Sequence, residues 1–288
     1  MSADSLEKGV ADRYLELLKQ TLTFTLWPEP PWPIEHLNSD RPFVKRTVVS
    51  LISGALRLAG YHLAKDVTPT WEERRDGIIW PYSADTMMGL TRLNHLQQCV
   101  ETVLHEGIAG DLIETGVWRG GGSIFMRGVL AAHGITDRQV YVADSFRGFP
   151  AIEAPQDIGD EPDRFRSYIA VSESAVRNNF RRYGLLDDQV VFLNGWFKDT
   201  LSRAPIEKLA ILKLAGDMYG STMEALTALY PKLAPGGFCF VDDYGALEVC
   251  KQAVCDYRGA HDINDDIHAI DWTGVYWRKS SPSAFGPA

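Results

Sequence analysis

Apolar residues are distributed in two different ways along this chain. In the first third they recur at helical spacing. In SLEKGVADRYLELLKQTL, Val10, Tyr14, Leu17 and Leu18 return every three or four residues, which predicts an amphipathic helix. The pattern breaks at TLWPEPPWPIEHLNSDRP. Its prolines fix φ and remove backbone donors, so this stretch is a loop, ordered around Trp27 and Trp32. A second helix is predicted over Val44–Leu63, an aromatic connector over WEERRDGIIWPYSADTMMG, and a third helix over Thr86–His105.

From Asp111 the apolar positions gather instead into short runs: LIETG, VYVADS, VVFLNG, LAILKLAGD and GFCFVDDY. Runs of this length ending in small or polar residues read as parallel strands covered on both faces. Helices at Ser123–His133, Ser172–Tyr183 and Ser221–Leu233 separate them. IHAIDWTGVYWRKS differs, reading as two strands joined by a short turn and hence an antiparallel pair. The prediction is an α/β fold. Residues 1–84 form a helical and aromatic extension, 85–280 the core, and 281–288 a frayed tail.

Composition narrows the classes. Hydrophobic residues make up 45% and charged residues 23% of 288 positions, ordinary for a globular protein. A net charge of −9 argues against a general nucleic-acid surface, which needs clustered Lys and Arg. No apolar run is long enough to span a bilayer and no N-terminal h-region is present, so no membrane partner is expected and the expected location is cytoplasmic. Cys99, Cys239, Cys250 and Cys255 form no CxxC pair and read as buried reduced thiols, an expectation for all four. The seven histidines show neither HxH nor HExxH spacing.

The strand ends carry the chemistry. In an open parallel sheet, ligands bind at the carboxyl ends of strands near the switch point. The first such end reads ETGVWRGGGS, whose glycines let backbone approach a ligand closely. A dinucleotide site would want GxGxxG. Here Glu114 places a carboxylate where a diphosphate would be repelled and a cationic ligand such as S-adenosylmethionine would be welcome. Asp144 closes the next strand, where an acid can accept hydrogen bonds from ribose or simply cap a turn. Trp196, beside Gly195, offers either a surface for adenine or core packing. Asp242 and Asp243 close the fifth run, and two adjacent carboxylates suit Mg²⁺ or a solvated turn. Asp217 closes the fourth, facing the same pocket.

With these residues in hand, the chain resembles the macrocin-type sugar O-methyltransferase family. The resemblance rests on DTMMGLTRLNHLQQCVETVL, GDLIETGVWRGGGSIFMRGVL, VYVADSFRGFP, GLLDDQVVFLNGWFKDTLSRAPIEKLAILKL, STMEALTALYPKLAPGGFCFVDDYG and IDWTGVYWRK, most of Asp85–Lys279. It implies a class I methyltransferase, Rossmann-like sheet of seven strands with the last antiparallel, S-adenosyl-L-methionine as donor, a glycosylated natural product as acceptor, and a homodimer or larger assembly. Glu114, Thr115, Gly116 and Trp118 match the first cofactor motif, Asp144 and Ser145 the ribose side, and Trp196 the adenine side. Thr86 and Met87 match positions against the methionine end. Mg²⁺ is implied, with Asp242 and Asp243 as ligands. The family pattern LRLDGDMYEST reads LKLAGDMYGST here, so Ala215 and Gly220 replace acids, and Arg147 replaces another in SFRGFP. Asp217 then becomes the candidate catalytic acid. Three explanations of Ala215 stand: a natural change compensated nearby, an engineered substitution, or a cofactor-binding homologue that no longer methylates. Trp27, Trp32, Trp71 and Trp80 are candidates for an acceptor lid or for plain packing.

Overall fold

A computed structural model of the chain describes residues 3–34, 43–79, 82–158 and 166–280. Before the core come α1 (Ala3–Leu22), β1 (Trp32–Pro33), α2 (Phe43–Leu58), β2 (Ala64–Lys65) and α3 (Trp71–Arg75). The core follows as α4 (Leu90–His105), β3 (Asp111–Thr115), α5 (Gly121–Ala132), β4 (Val140–Asp144), α6 (Arg166–Ile169), α7 (Glu173–Arg182), β5 (Val190–Asn194) and α8 (Phe197–Thr200). It ends with β6 (Leu209–Leu214), α9 (Tyr219–Leu229), β7 (Leu233–Val241), α10 (Glu248–Ala260), β8 (His268–Ala269) and β9 (Val275–Arg278).

The main sheet has seven strands in the order β5-β4-β3-β6-β7-β9-β8. Strands β3 to β7 pair in parallel, while β9 runs antiparallel to β7 and pairs antiparallel with β8. The predicted terminal hairpin is therefore present, and only β9 opposes the common strand direction. This is the class I methyltransferase arrangement. From β3 the chain winds outward through β4 and β5, then returns to β6 on the other side of β3. That reversal makes the crevice above β3 and β6 the switch point.

Side-chain alternation fills two cores. Leu112, Val140, Ile211 and Phe240 face one side with residues from α1, α4, α5 and α7. Ile113, Tyr141, Leu212 and Val241 face the other with residues from α9 and α10. Leu15, Leu18 and Leu22 of α1 are buried in the first core, so the leading helix is built into the sheet's packing. Cys99, Cys239 and Cys250 are buried and Cys255 exposed, all as free thiols. Among the described residues no helix is long and apolar enough to cross a membrane.

Several predicted helix limits shift, the Ser123–His133 helix beginning at Gly121 among them. The second helix stops at Leu58 instead of Leu63. The Ser221–Leu233 helix begins two residues earlier and ends at Leu229, followed by one 3-10 turn over Tyr230–Lys232. The helix expected from Thr86 starts only at Leu90. Tertiary contacts prevent the earlier start. Asp85 N–H donates to the Leu22 carbonyl and Gly121 N–H to the Asp85 carbonyl, at 2.8 and 3.0 Å. Arg119 donates to the Tyr82 and Ala84 carbonyls. A Cβ on Gly89 would lie 2.2 Å from the Arg75 carbonyl oxygen, so helix α4 begins where the connector crosses it.

Candidate active site

The switch-point crevice is shaped by backbone that has no room for side chains. Gly116, immediately after β3, has φ +78°, and a Cβ there would stand 1.9 Å from the Ala215 carbonyl oxygen across the crevice. Gly121 and Gly122 open α5; their Cβ atoms would strike the Asp85 carbonyl at 2.4 Å and Glu114 Oε1 at 2.2 Å. Three close approaches thus bring β3, β6, the 84–88 loop and the start of α5 around one cavity.

The cavity wall includes Thr86, Met87, Glu114, Gly116, Trp118, Asp144, Ser145, Trp196, Ala215, Asp217, Asp242 and Asp243. Every candidate site residue read from the sequence lies on it except Thr115. That residue is fully buried, and its hydroxyl donates to the Lys213 carbonyl at 3.5 Å instead of facing the cavity. Trp27, Trp32 and Trp71 are also absent from the wall. Trp32 is buried with its indole N–H on Glu29, while Trp27 and Trp71 are about half exposed. Trp80 lies outside the described residues.

Asp144 holds the turns after β3 and β4 together. Its Oδ2 accepts from Val117 N–H at 2.8 Å and its Oδ1 from Phe146 N–H at 2.7 Å. Burial raises its pKa, and these backbone donors, with that of Trp118, partly pull it back. With three backbone donors engaged, the carboxylate keeps one acceptor position for a ligand hydroxyl. Trp118 adopts φ +48°, donates its indole N–H to the Tyr168 carbonyl at 3.0 Å and lies under the Arg119 guanidinium. The Ser145 hydroxyl closes the next turn by donating to the Gly148 carbonyl. Trp196 caps α8 and leaves part of its ring exposed to the cavity.

Beneath this lies a buried charge row that sequence reading missed. Lys213, on β6, is 2% exposed. Its ammonium contacts Glu114 Oε1 at 3.0 Å and Asp242 Oδ2 at 2.5 Å. Burial alone would lower its pKa; the charges of Asp242 and Glu114 more than offset that and raise it. Ser123 donates to the other Glu114 oxygen at 2.5 Å. Arg92, from α4, lies 3.5 Å from Asp242 and makes a two-pronged contact with Asp271, both bonds 2.8 Å. A single lysine inside the apolar run LAILKL is the signal that could have found the row. Asp242 is consequently engaged with two cations, and the acid that meets Asp243 is Asp217.

Asp217 stands at φ +60°, a backbone region that costs a non-glycine residue about 1–2 kcal/mol. Its carboxyl lies close enough to that of Asp243 for each to perturb the other. Burial first, then the neighbouring Asp243 charge, raises Asp217 well above the ordinary carboxylate range. Asp243 is raised as well, by burial and by Asp242. Two such carboxyls share a proton, and a cation placed between them would replace it. Among the described residues no group of three or more His, Cys, Asp or Glu is arranged around a common metal position. Two carboxylates still satisfy Mg²⁺, which keeps waters or substrate oxygens in its remaining positions.

The outer wall comprises Glu153, Ala154, Asp157, Phe197, Lys198, Gly220 and Glu224. Of these, only Phe197, beside Trp196, and Gly220 were singled out from the sequence.

Comparison with known proteins agrees with this geometry. A family profile described as macrocin O-methyltransferase (TylF) matches residues 11–279. A 4'-O-methyltransferase of Streptomyces olivaceus, acting on 8-demethyl-8-(2,3-dimethoxy-α-L-rhamnosyl)-tetracenomycin C, is 55% identical over 222 residues, covering 76% of this chain and 85% of the relative. The mycinamicin III 3''-O-methyltransferase of Micromonospora griseorubida is 49% identical over 244 residues, covering 83% and 95%. The solved O-methyltransferase NovP superposes with a TM-score of 0.80 at 42% identity, covering 94% of this chain and 100% of that one.

Proposed function

The chain belongs to the macrocin O-methyltransferase family, whose members use S-adenosylmethionine, and from that premise we propose that its acceptor is a sugar hydroxyl of a glycosylated natural product. One observation carries the assignment of the site. Around the inner end of the cavity, the carboxylates of Glu114, Asp144, Asp217, Asp242 and Asp243 face only Lys213 and Arg92 as cations. Acidic groups outnumber basic ones on this wall even when Asp217 and Asp243 share a proton, so the site favours a cationic ligand. S-adenosylmethionine, with its sulfonium and ammonium groups, is such a ligand.

The proposed roles follow from position. Gly116, Gly122 and the 84–88 loop give the cofactor backbone to lie against, Asp144 and Ser145 face its ribose, and Trp196 its adenine. Thr86 and Met87 border its methionine end. Asp217 and Asp243 would hold Mg²⁺, with Asp242 contributing what Lys213 and Arg92 leave free. When bound, the cofactor supplies an electrophilic methyl group and the metal polarises the acceptor hydroxyl. Asp217, by its position beside the proposed metal site, is the carboxylate that would take the hydroxyl proton. Orientation of the acceptor oxygen in line with the methyl group is the remaining contribution. Residues 1–84 form the acceptor-side extension and 85–280 the transferase core. A homo-oligomer in the cytoplasm is the proposed setting.

The test uses the rhamnosylated tetracenomycin acceptor of the Streptomyces relative, with Mg²⁺ or with a chelator. Methylated product by mass spectrometry, reduced at least tenfold by chelation and by Asp217→Asn, is expected. S-adenosylhomocysteine binding by calorimetry without methyl transfer to this or other glycosylated acceptors, in wild type and in Ala215→Asp alike, would favour a homologue that has left methyl transfer. Product from Ala215→Asp alone would identify Ala215 as an inactivating change.

A further inference from the structure

Helix α9 starts without a cap of its own. Met218 occupies the N-cap position and offers no side-chain acceptor. The missing acceptor arrives from another part of the chain. Asp157, at the end of the 3-10 turn Pro155–Asp157, is 1% exposed. Its Oδ1 accepts from Tyr219 N–H at 2.7 Å and its Oδ2 from Gly220 N–H at 3.0 Å. A carboxylate on the first-turn donors of a helix is favoured by both the hydrogen bonds and the helix dipole.

This pairing joins two parts of the site. Asp217 lies two residues before α9, in a tight turn where Met218 N–H reaches the Gly216 carbonyl at 2.6 Å. Asp157 belongs to the outer wall, with Glu153 and Ala154. A Cβ at Gly220 would stand 3.4 Å from Asp157 Oδ2 and 3.6 Å from Ala154 Cβ, ordinary contact distances that show how closely the 153–157 wall packs on the start of α9. A second link joins the same wall to α8: Lys198 Nζ contacts Glu153 Oε1 at 2.5 Å. Both partners are exposed there, and such pairs contribute little. The buried carboxylate is the stronger fastening.

We propose that Asp157 is a positioning residue: it clamps the acceptor-side wall to the turn carrying Asp217 and so fixes the acceptor against the reacting groups. This rests on the proposed role of Asp217. Misplacement of reacting groups by about 1 Å can cost roughly a hundredfold in rate. Asp157→Ala is therefore expected to lower kcat/KM for the acceptor about 10- to 100-fold, with kcat falling and acceptor KM rising. S-adenosylhomocysteine affinity should stay within about twofold, because the cofactor-side turns are held by Asp144. Asp157→Asn, which keeps one acceptor oxygen, should recover part of the loss.

The experiment measures wild type, Asp157→Ala and Asp157→Asn with the rhamnosylated tetracenomycin acceptor, and follows hydrogen exchange of residues 215–222 in the complex with S-adenosylhomocysteine. Faster exchange in the alanine variant, at preserved cofactor affinity, is expected. The exchange arm needs no turnover, so it decides the clamp even if this acceptor is not methylated. Unchanged exchange would overturn the proposal, as would acceptor kinetics within twofold of wild type in a variant that is merely less thermostable. If the alanine variant does not fold, the asparagine variant carries the same comparison.

Discussion

Replacing Lys213 by methionine tests whether the charge row beneath the cavity is a structural necessity. The side chain is 2% exposed and lies 3.0 Å from Glu114 and 2.5 Å from Asp242. At an effective dielectric of about 20, each contact is worth roughly 5–7 kcal/mol before desolvation. Desolvation consumes most of that, so the intact row is not a large net source of stability. Removing only the cation is another matter, since two buried carboxylates stay behind; the expected cost is about 3–5 kcal/mol. With an unfolding entropy of about 2.1 cal/mol/K per residue, a chain of 288 residues should lose roughly 5–8 °C in Tm. The pH dependence separates this from lost packing. Lys213 has a raised pKa in the fold, so its contribution is complete throughout pH 5–8 and fades only in strongly alkaline solution. In the variant, carboxylates without their cation are pushed up, and the penalty is relieved as pH falls through their new values. The Tm deficit measured by calorimetry should therefore be larger at pH 8 than at pH 5, and Glu114→Gln in the same chain should restore at least half of it. A deficit below about 1 °C at pH 8, or one independent of pH, would refute the reasoning.

Gly116→Ala should abolish cofactor binding: the conformation alone costs about 1–2 kcal/mol, and the new Cβ would collide with the Ala215 carbonyl 1.9 Å away. S-adenosylhomocysteine titration should show at least a tenfold weaker Kd. His95 lies between Tyr276 and Phe240, at ring distances of 4.1 and 5.6 Å, and burial depresses its pKa despite the opposing charge of Asp271. Protonation therefore favours the unfolded chain, so stability should fall as pH drops below about 6.5, by at most about 1.4 kcal/mol per unit, and His95→Phe should flatten that slope in urea unfolding. Ala215→Asp adds a carboxylate to an already acidic cavity; it should lower Tm in a chelator and raise Mg²⁺ affinity, both read by calorimetry.

The sheet was legible because each buried strand is a short apolar run ending at a small or acidic residue, and because VYWR follows a turn. Those signals are local. The limits of the helices were less legible. Thr86 was expected to open the helix, but Ala84 and Asp85 just before it are held by Leu22, Gly121 and Arg119, residues distant in sequence, and the Thr86 hydroxyl accepts from Met88 N–H in a local turn. The inner cavity wall was legible from Glu114, Asp144, Asp217 and Asp243, since strand ends at a switch point converge on one place whatever their separation in the chain. Thr115 was misplaced because strand alternation turns it away from the cavity that its neighbours line. The roles of the outer wall were not legible. Asp157 precedes Gly220 by 63 residues, in a stretch with no periodic pattern, and its importance lies entirely in what it touches.

That contrast bears on Ala215. Read along the chain, the alanine removes an acid from a row of strand-end carboxylates and suggests a dead site. Read in three dimensions, the cavity still carries Asp217 and Asp243 in mutual contact, and Asp242 beside them is already engaged with Lys213 and Arg92. The acid that sequence reading could not secure, Asp217, is the one facing Asp243. An additional carboxylate at 215 would add to a wall that is already acidic. The missing side chain therefore bears more on how tightly a divalent ion is held than on whether a proton acceptor is present. If so, the chain should transfer methyl groups at Mg²⁺ concentrations higher than an aspartate at 215 would require, and a titration of activity against Mg²⁺ for both chains should show equal plateaus with displaced midpoints. A lower plateau for the alanine chain, with coincident midpoints, would place the lost carboxylate in the chemical step instead.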